Sequence, residues 1–440
     1  MSLINHFSQQ IQRYYPQQKQ FLIGLSGGLD STALLLLFAL YRQQHPEIQL
    51  RAIHIHHNLS AHADDWASHC EQLCQQLAIP FLLEKVAVDK NKNIEASARD
   101  ARYQGIKQNI LSDEILVTAH HLQDQSETFL LALKRGSGLQ GLSAMQIVSE
   151  MDGLNIFRPL LLCSRPQLEN FVIQHQLPWV EDESNQDSRF ERNFLRNEIL
   201  PHLRQRWPHI DQAIFRSSQL CLAQQQLIDE LLQESFSQYF DPNNQSFAID
   251  HFNQFSEAKQ NALLRAWLKQ LKQAMPSQLQ LKQIIQDVVF AKEDRLPEFK
   301  LNGMVIRRYQ DRLYLMPEFQ DLKHTQIALK LNQKILLPDN LGTLELTENQ
   351  HHFIISWLSP LSPLALEPTE LKTLTLDKTN ENIQVRFSYQ GKVKLKNGQH
   401  ESLKKCWQKA HIPPWQRQRI PLIFYGENFK GAVGCFKNFA

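Results

Sequence analysis

The first 180 residues alternate short β-rich runs with helix-period segments, and few architectures accommodate that pattern. Phe21 to Leu25, Leu50 to Ile55, Phe81 to Val88, Ile115 to Thr118 and Ile156 to Leu161 read as strands. Helical patterns follow at Thr32 to Gln43, Asp64 to Leu77, Glu95 to Ile110, Gln123 to Lys134 and Arg165 to Gln176. Repeated β-α units predict an α/β domain with a mostly parallel sheet covered by helices on both faces. Ligands in such folds bind at the carboxyl ends of the strands.

At 440 residues the chain exceeds one ordinary core. Beyond Pro208 the segments 210–238, 256–272 and 277–290 are helical in period and rich in Leu and Gln. Phe299 to Leu315 then alternates like a hairpin around Asn302-Gly303. The last 60 residues read as β-rich, with one short helix near Glu401 to Lys409. Three domains are expected: a Rossmann-like catalytic domain over 1–215, a mainly helical one over 216–318 and a β-rich basic one over 319–440.

No apolar run reaches the length of a membrane span, and Met1 to Pro16 has no signal-type apolar core. The six cysteines are scattered, without a disulfide framework. Both features suit a reducing cytoplasm. From Arg386 to Ala440, eleven Lys and Arg face two Glu, a net charge of +9. With Phe387, Tyr389, Trp407 and Trp415 interleaved, this block fits either a phosphate backbone or a solvated basic face.

Ser26-Gly27-Gly28-Leu29-Asp30-Ser31 follows the first strand and opens a helix. Glycines there let a phosphate approach the backbone, and the helix N-terminus supplies free N–H groups. A carboxylate beside phosphates is repelled unless a cation lies between, so Asp30 suggests magnesium. The Gly-Lys-Ser/Thr ending of the Walker loop is absent. Asp124 and Glu127 are three apart on a helix after the fourth strand, and share a face. Such a pair suits an ammonium substrate and a proton acceptor, or is a solvated acidic face. Arg99 and Arg102 either hold phosphates or pair with nearby acids. Arg192 and Arg196, at i and i+4, either meet phosphates or form a domain-interface salt bridge. His54, His56 and His57 invite a zinc reading, but strand alternation turns His57 away from the other two.

The loop resembles that of the PP-loop family, the N-type ATP pyrophosphatases, written Ser-Gly-Gly-x-Asp-Ser. Further segments resemble the tRNA(Ile)-lysidine synthetases within it. They are Ala52 to Ser60, Glu95 to Tyr103, Leu116 to Thr128, Leu133 to Gly138, Arg158 to Leu161, Glu181 to Asn185 and Arg192 to Arg196. Leu403-Lys404-Lys405 and Ile412 to Arg417 look like the C-terminal domain of the longer members. The resemblance implies ATP with Mg2+, free L-lysine and a tRNA(Ile) with a CAU anticodon as partners. It implies that cytosine O2 is adenylated and that the lysine ε-amine then displaces AMP from C2.

By the same resemblance Ser26 to Ser31 and His57 would hold the nucleotide, with Asp30 on the metal. Asp30, Arg102, Asp124 and Glu127 would be catalytic. Arg99, Arg102, Asp124, Glu127, Arg192, Arg196, Lys404, Lys405 and Arg417 would bind lysine or tRNA. Two positions depart from the family pattern: Asn58 replaces a glycine, and Gln123 an aspartate. A sulfur-inserting relative would need paired cysteines near the loop, whereas Cys70 and Cys74 are spaced as on a helix. A small-molecule amidotransferase would need an ammonia source, and a non-catalytic tRNA-binding module would not need Asp30 with the acidic pair. Monomer and homodimer both remain open.

Overall fold

The computed structural model describes residues 2–88, 94–292, 296–360 and 368–439. Contacts divide the chain into two units, Met1–Ile228 and Asp229–Ala440. The first unit runs α1 (Leu3–Tyr14), β1 (Gln20–Gly24), α2 (Leu29–Gln44), β2 (Gln49–His56), α3 (Ala63–Gln76), β3 (Phe81–Lys85) and α4 (Ile94–Asn109). It continues with β4 (Ile115–Val117), α5 (Leu122–Lys134), α6 (Leu139–Leu142), β5 (Val148–Met151), β6 (Leu154–Phe157) and α7 (Arg165–Gln174). The short α8 (Glu191–Phe194), a π-helical turn (Leu195–Ile199) and α9 (Leu200–Arg206) lead to α10 (Ile210–Tyr239).

The sheet order is β3-β2-β1-β4-β6-β5. All neighbours pair in parallel except β5 with β6. Strand alternation decides which face each side chain covers. Phe21, Ile23, Leu50, Ala52, Ile115 and Val117 join the core under α1, α2, α3 and α7. Leu22, Ile53, Leu116 and Ile156 meet Tyr103 and Ile106 of α4 on the other face. Because β1 has β2 on one side and β4 on the other, the order reverses between β1 and β4. Their carboxyl ends therefore open a crevice at the switch point.

The second unit holds a four-stranded sheet with two helices, then a larger β-rich part. The first contains β7 (Phe247–Ala248), α11 (Glu257–Gln270), α12 (Gln278–Gln283), β8 (Glu298–Leu301), β9 (Met304–Tyr309) and β10 (Arg312–Pro317). Trp267, Phe247 and Phe252 fill its core. The β-rich part, from Leu322 to Phe436, has its own core.

Two expectations change here. The expected boundary between residues 215 and 216 falls inside α10, whose helical pattern continues through it. The stretch expected to be mainly helical also carries a sheet, because β7 pairs with β10 beyond the Asn302-Gly303 hairpin.

The aromatics of the basic block are mostly structural. Phe387 and Trp407 are core residues, and Tyr389 stacks on Phe429. Arg386 pairs with Glu427, Lys409 with Glu401, and Arg419 with Asp339. Lys404 and Lys405 are exposed on a short helix (Leu403–Lys409), while the Arg417 Nε donates to the Ile412 carbonyl.

Candidate active site

The ATP-type loop is built by the end of β1 and the start of α2. Gly27 takes φ +86°, and a Cβ there would meet Cys70 and Val180 at 3.0 Å. Ser31 Oγ accepts from the Ser26 N–H at 3.2 Å and donates to the Gly28 carbonyl at 3.0 Å. The Ser26 and Ser31 hydroxyls lie 3.1 Å apart. Both serines thus brace the loop itself. Leu29 is a core side chain, so only its backbone suits a phosphate. From 153 residues along the chain the Val180 N–H donates to the Gly27 carbonyl at 2.9 Å.

We expect Gly27→Ala to lower stability by about 1–3 kcal/mol, since it adds a Cβ at positive φ against packed atoms. Gly28→Ala meets nothing closer than 3.7 Å and should melt close to the parent. Thermal denaturation of both variants checks the contrast, and equal melting points would refute it.

Asp30, in the first turn of α2, points across the crevice to α5. Its Oδ2 lies 3.4 Å from His121 Nε2, and its Oδ1 is buried without a hydrogen-bond partner. His121 caps α5: the His121 N–H donates to Asp124 Oδ2 at 2.9 Å, and the Gln123 N–H donates to His121 Nδ1 at 3.2 Å. Burial alone would lower the imidazole pKa, but the carboxylates of Asp124, Asp30 and Glu127 outweigh it and hold His121 above its ordinary value.

Asp124 and Glu127 sit one helical turn apart, as their spacing predicts, and Glu127 is fully buried. Burial pushes the Asp124 carboxyl up, but His121, His120 and Arg196 together draw it below its ordinary value. Burial raises Glu127, and Arg196 only partly counters it. The two carboxyls are therefore driven apart, the arrangement expected of an acid-base site.

The arginines separate. Arg102 lines the cleft; Arg99, outside its lining, lies over the Tyr103 ring at 5.1 Å. Arg192 Nη2 donates to Thr128 Oγ1 at 3.2 Å. Arg196 forms a two-point ion pair with Glu127 at 2.7 and 3.0 Å and reaches Asp124 at 3.2 Å. This salt bridge lies within the first unit, between the π-helical turn and α5, and not at a domain interface. Lys404, Lys405 and Arg417 belong to the second unit.

The three histidines at the carboxyl end of β2, His57 being the first residue past the strand, do not converge. His54 Nδ1 is bonded to the Leu25 carbonyl at 2.9 Å, and His56 faces Asp64 at 3.2 Å. His57 lines the cleft with a buried, unpartnered Nδ1. Burial, helped by the Arg102 charge, pushes it down to about 4, so the ring is neutral at pH 7. His120, hydrogen-bonded to Thr118 Oγ1 at 2.9 Å, is likewise pushed down by burial, to about 3. Cys70 and Cys74 are buried thiols pushed up to about 12, inert as sulfur carriers at neutral pH.

Both departures from the family pattern have structural roles. Asn58 adopts φ +53°, which Asn tolerates better than most residues. Gln123 Oε1 accepts the Arg165 N–H at 2.9 Å, so it ties α5 to the start of α7. Sequence reasoning missed Val180, whose backbone contact has no side-chain signature. It also missed Gln125 and Ser126, which pin α5 by hydrogen bonds to Ser218 and Asp211. Two uncharged polar residues between Asp124 and Glu127 were the available signal.

Ser26, Asp30, His57, Arg102, His121, Asp124, Glu127 and Arg196 all face one cleft of about 1270 Å³. That exceeds the roughly 300–1,000 Å³ typical of a pocket for one small ligand, so it can hold more than a nucleotide.

A PP-loop domain model matches residues 3–203. Models of a TilS substrate binding domain and a TilS substrate C-terminal domain match residues 247–314 and 383–439. The tRNA(Ile)-lysidine synthase of Histophilus somni (strain 129Pt) is 53% identical over 439 residues, covering 100% of each chain. That of Haemophilus influenzae (strain 86-028NP) is 54% identical over 444 residues, covering 100% of this chain and 99% of the relative. Similarity of this extent, with the loop, acidic pair and cleft assembled in one domain, makes the chain a member of the tRNA(Ile)-lysidine synthase family of PP-loop enzymes.

Proposed function

We propose that the chain joins L-lysine to C2 of the wobble cytidine of tRNA(Ile) with a CAU anticodon, using ATP and releasing pyrophosphate and AMP. The observation that supports this most is a single cleft holding both the loop aspartate and the Asp124–Glu127 pair, with His121 between them.

In the first step cytosine O2 bonds to the α-phosphorus and pyrophosphate leaves. The loop backbone and Arg102 stabilise the phosphate charge, and neutral His57 offers its unpartnered nitrogen to the nucleotide. In the second, the lysine ε-amine bonds to C2 and the C2–O2 bond breaks, expelling AMP. The ammonium must shed protons for this, and Glu127, with its raised pKa, is the better acceptor. Asp124 stays ionised and holds the amine. No protein nucleophile takes part, so catalysis rests on positioning and charge.

Magnesium fits at Asp30, whose buried Oδ1 has no other partner. Among the described residues no group of three His, Cys, Asp or Glu could hold a metal ion. A single protein carboxylate suits an ion that arrives with a triphosphate, where it would neutralise phosphate charge.

The unit Met1–Ile228 would carry the chemistry, and Asp229–Ala440 would hold the tRNA. No helix among the described residues is long and apolar enough to cross a membrane. Free thiols and a tRNA substrate both support a cytoplasmic location.

The test incubates the protein with unmodified tRNA(Ile) bearing CAU, radiolabelled lysine and Mg-ATP. Folded protein that transfers no label sinks the reading. Deleting residues 386–440 is a poor test of the basic block, because it removes the core strands Leu422–Tyr425 and Asn428–Ala432. Replacing exposed Lys404 and Lys405 by Glu should instead weaken tRNA binding and lower the log-affinity versus log-salt slope by about 1–2. An unchanged slope would make them a solvated face.

A further inference from the structure

Glu127 is fully buried, and a buried carboxylate stays ionised only beside a cation. Here that cation is internal. Arg196 reaches in from the surface, its side chain 38% exposed, and binds both oxygens of Glu127 and one of Asp124. It thereby occupies the position in which the acidic pair would hold the ammonium of lysine. Glu127 is fully buried and held at both oxygens by the forked guanidinium, so Arg196 stands where a second cation would approach those oxygens.

The element carrying Arg196 is unusual. Leu195–Ile199 is a π-helical turn between two α-helical segments, a conformation that is rare and concentrated at functional sites. Such a turn has an alternative, since returning to α-helical hydrogen bonding rotates the residues it carries. Its neighbours are tied to the cleft wall. The Asn193 amide donates to the Ser184 and Asp187 carbonyls at 2.7 and 3.1 Å, and the Asn197 amide to the Asn185 carbonyl at 2.9 Å. Ser184 and Asn185 line the same cleft as Val180, which holds Gly27.

We propose that Arg196 is a built-in stand-in for the substrate ammonium, and that lysine enters by displacing it from Asp124 and Glu127. The proposal rests on the reading that this pair receives lysine. In the free enzyme the guanidinium keeps the buried carboxylates ionised. When lysine arrives, Arg196 leaves the pair and adds its charge to the cleft, where the departing AMP needs it. A cation too weak to displace Arg196 does not enter, so the exchange also discriminates among amines.

The experiment measures L-lysine binding to the full-length protein by calorimetry. Displacement weakens the apparent affinity by the fraction of time the pair is occupied. Arg196→Gln is therefore expected to bind lysine about tenfold tighter than the parent. Added guanidinium ion should compete with lysine in that variant and not in the parent. Unchanged or weaker lysine binding in folded Arg196→Gln overturns the proposal. If that variant does not fold, Arg196→Lys keeps the charge and loses the two-point hold; it too should bind lysine tighter, and an unchanged affinity overturns the proposal. Glu127→Gln separates the two layers. Lysine binding indifferent to Glu127→Gln would remove the lysine site itself. Binding that needs Glu127 but gains nothing in Arg196→Gln would remove only the displacement.

Discussion

Asp30→Asn is expected to lower pyrophosphate release by about 10²–10³-fold, the loss typical when one group stabilising transition-state charge is removed. The variant keeps the shape of the side chain and the helix start. It loses at most about 1 kcal/mol of favourable interaction with the α2 dipole, so folding should survive. What disappears is the charge on the buried, unpartnered Oδ1. The measurement follows pyrophosphate from Mg-ATP with saturating tRNA and no lysine. Release at the parental rate would show that Asp30 does not organise the phosphate complex.

The second large effect concerns the other half of the reaction. Glu127→Gln should slow lysine transfer by about 10²–10⁴-fold, the usual contribution of a general base. Pyrophosphate release should change far less, because adenylation needs no amine. Equal losses in both half-reactions would make Glu127 a structural residue. Its pH dependence has a definite sign. Burial raises the Glu127 pKa and Arg196 partly offsets this, so the carboxylate gains its proton at a higher pH than an ordinary glutamate. Transfer should then fall as pH drops through that raised value, ahead of the usual carboxylate range.

Much of the catalytic domain was legible because its signals are local. Strand alternation, the Gly27-Gly28 turn and the three-residue spacing of Asp124 and Glu127 each follow from neighbours in the chain. The misses are non-local or were under-read. Asp152 and Gly153, at φ +52° and +82°, make the hairpin turn that adds β5 at the sheet edge, an available Asp-Gly signal. The partner of Arg196 was not readable, since 69 residues separate it from Glu127. The basic block misled in part. Its aromatics serve a core formed with strands elsewhere in the second unit, and composition does not reveal which face of a strand is covered.

The contact between Val180 and Gly27 also has a kinetic meaning. The loop at residues 26–31 is among the first parts of the chain to be made, yet its backbone is held by residues that emerge much later. The pairing of β1 with β4 likewise joins segments about 94 residues apart. Closing such long stretches is slow, and both closures must precede a finished site. On the ribosome, the nucleotide loop would therefore stay unclamped until residue 180 has left the exit tunnel. A truncated chain carrying the entire Ser26 to Ser31 motif would be a poor ATP enzyme.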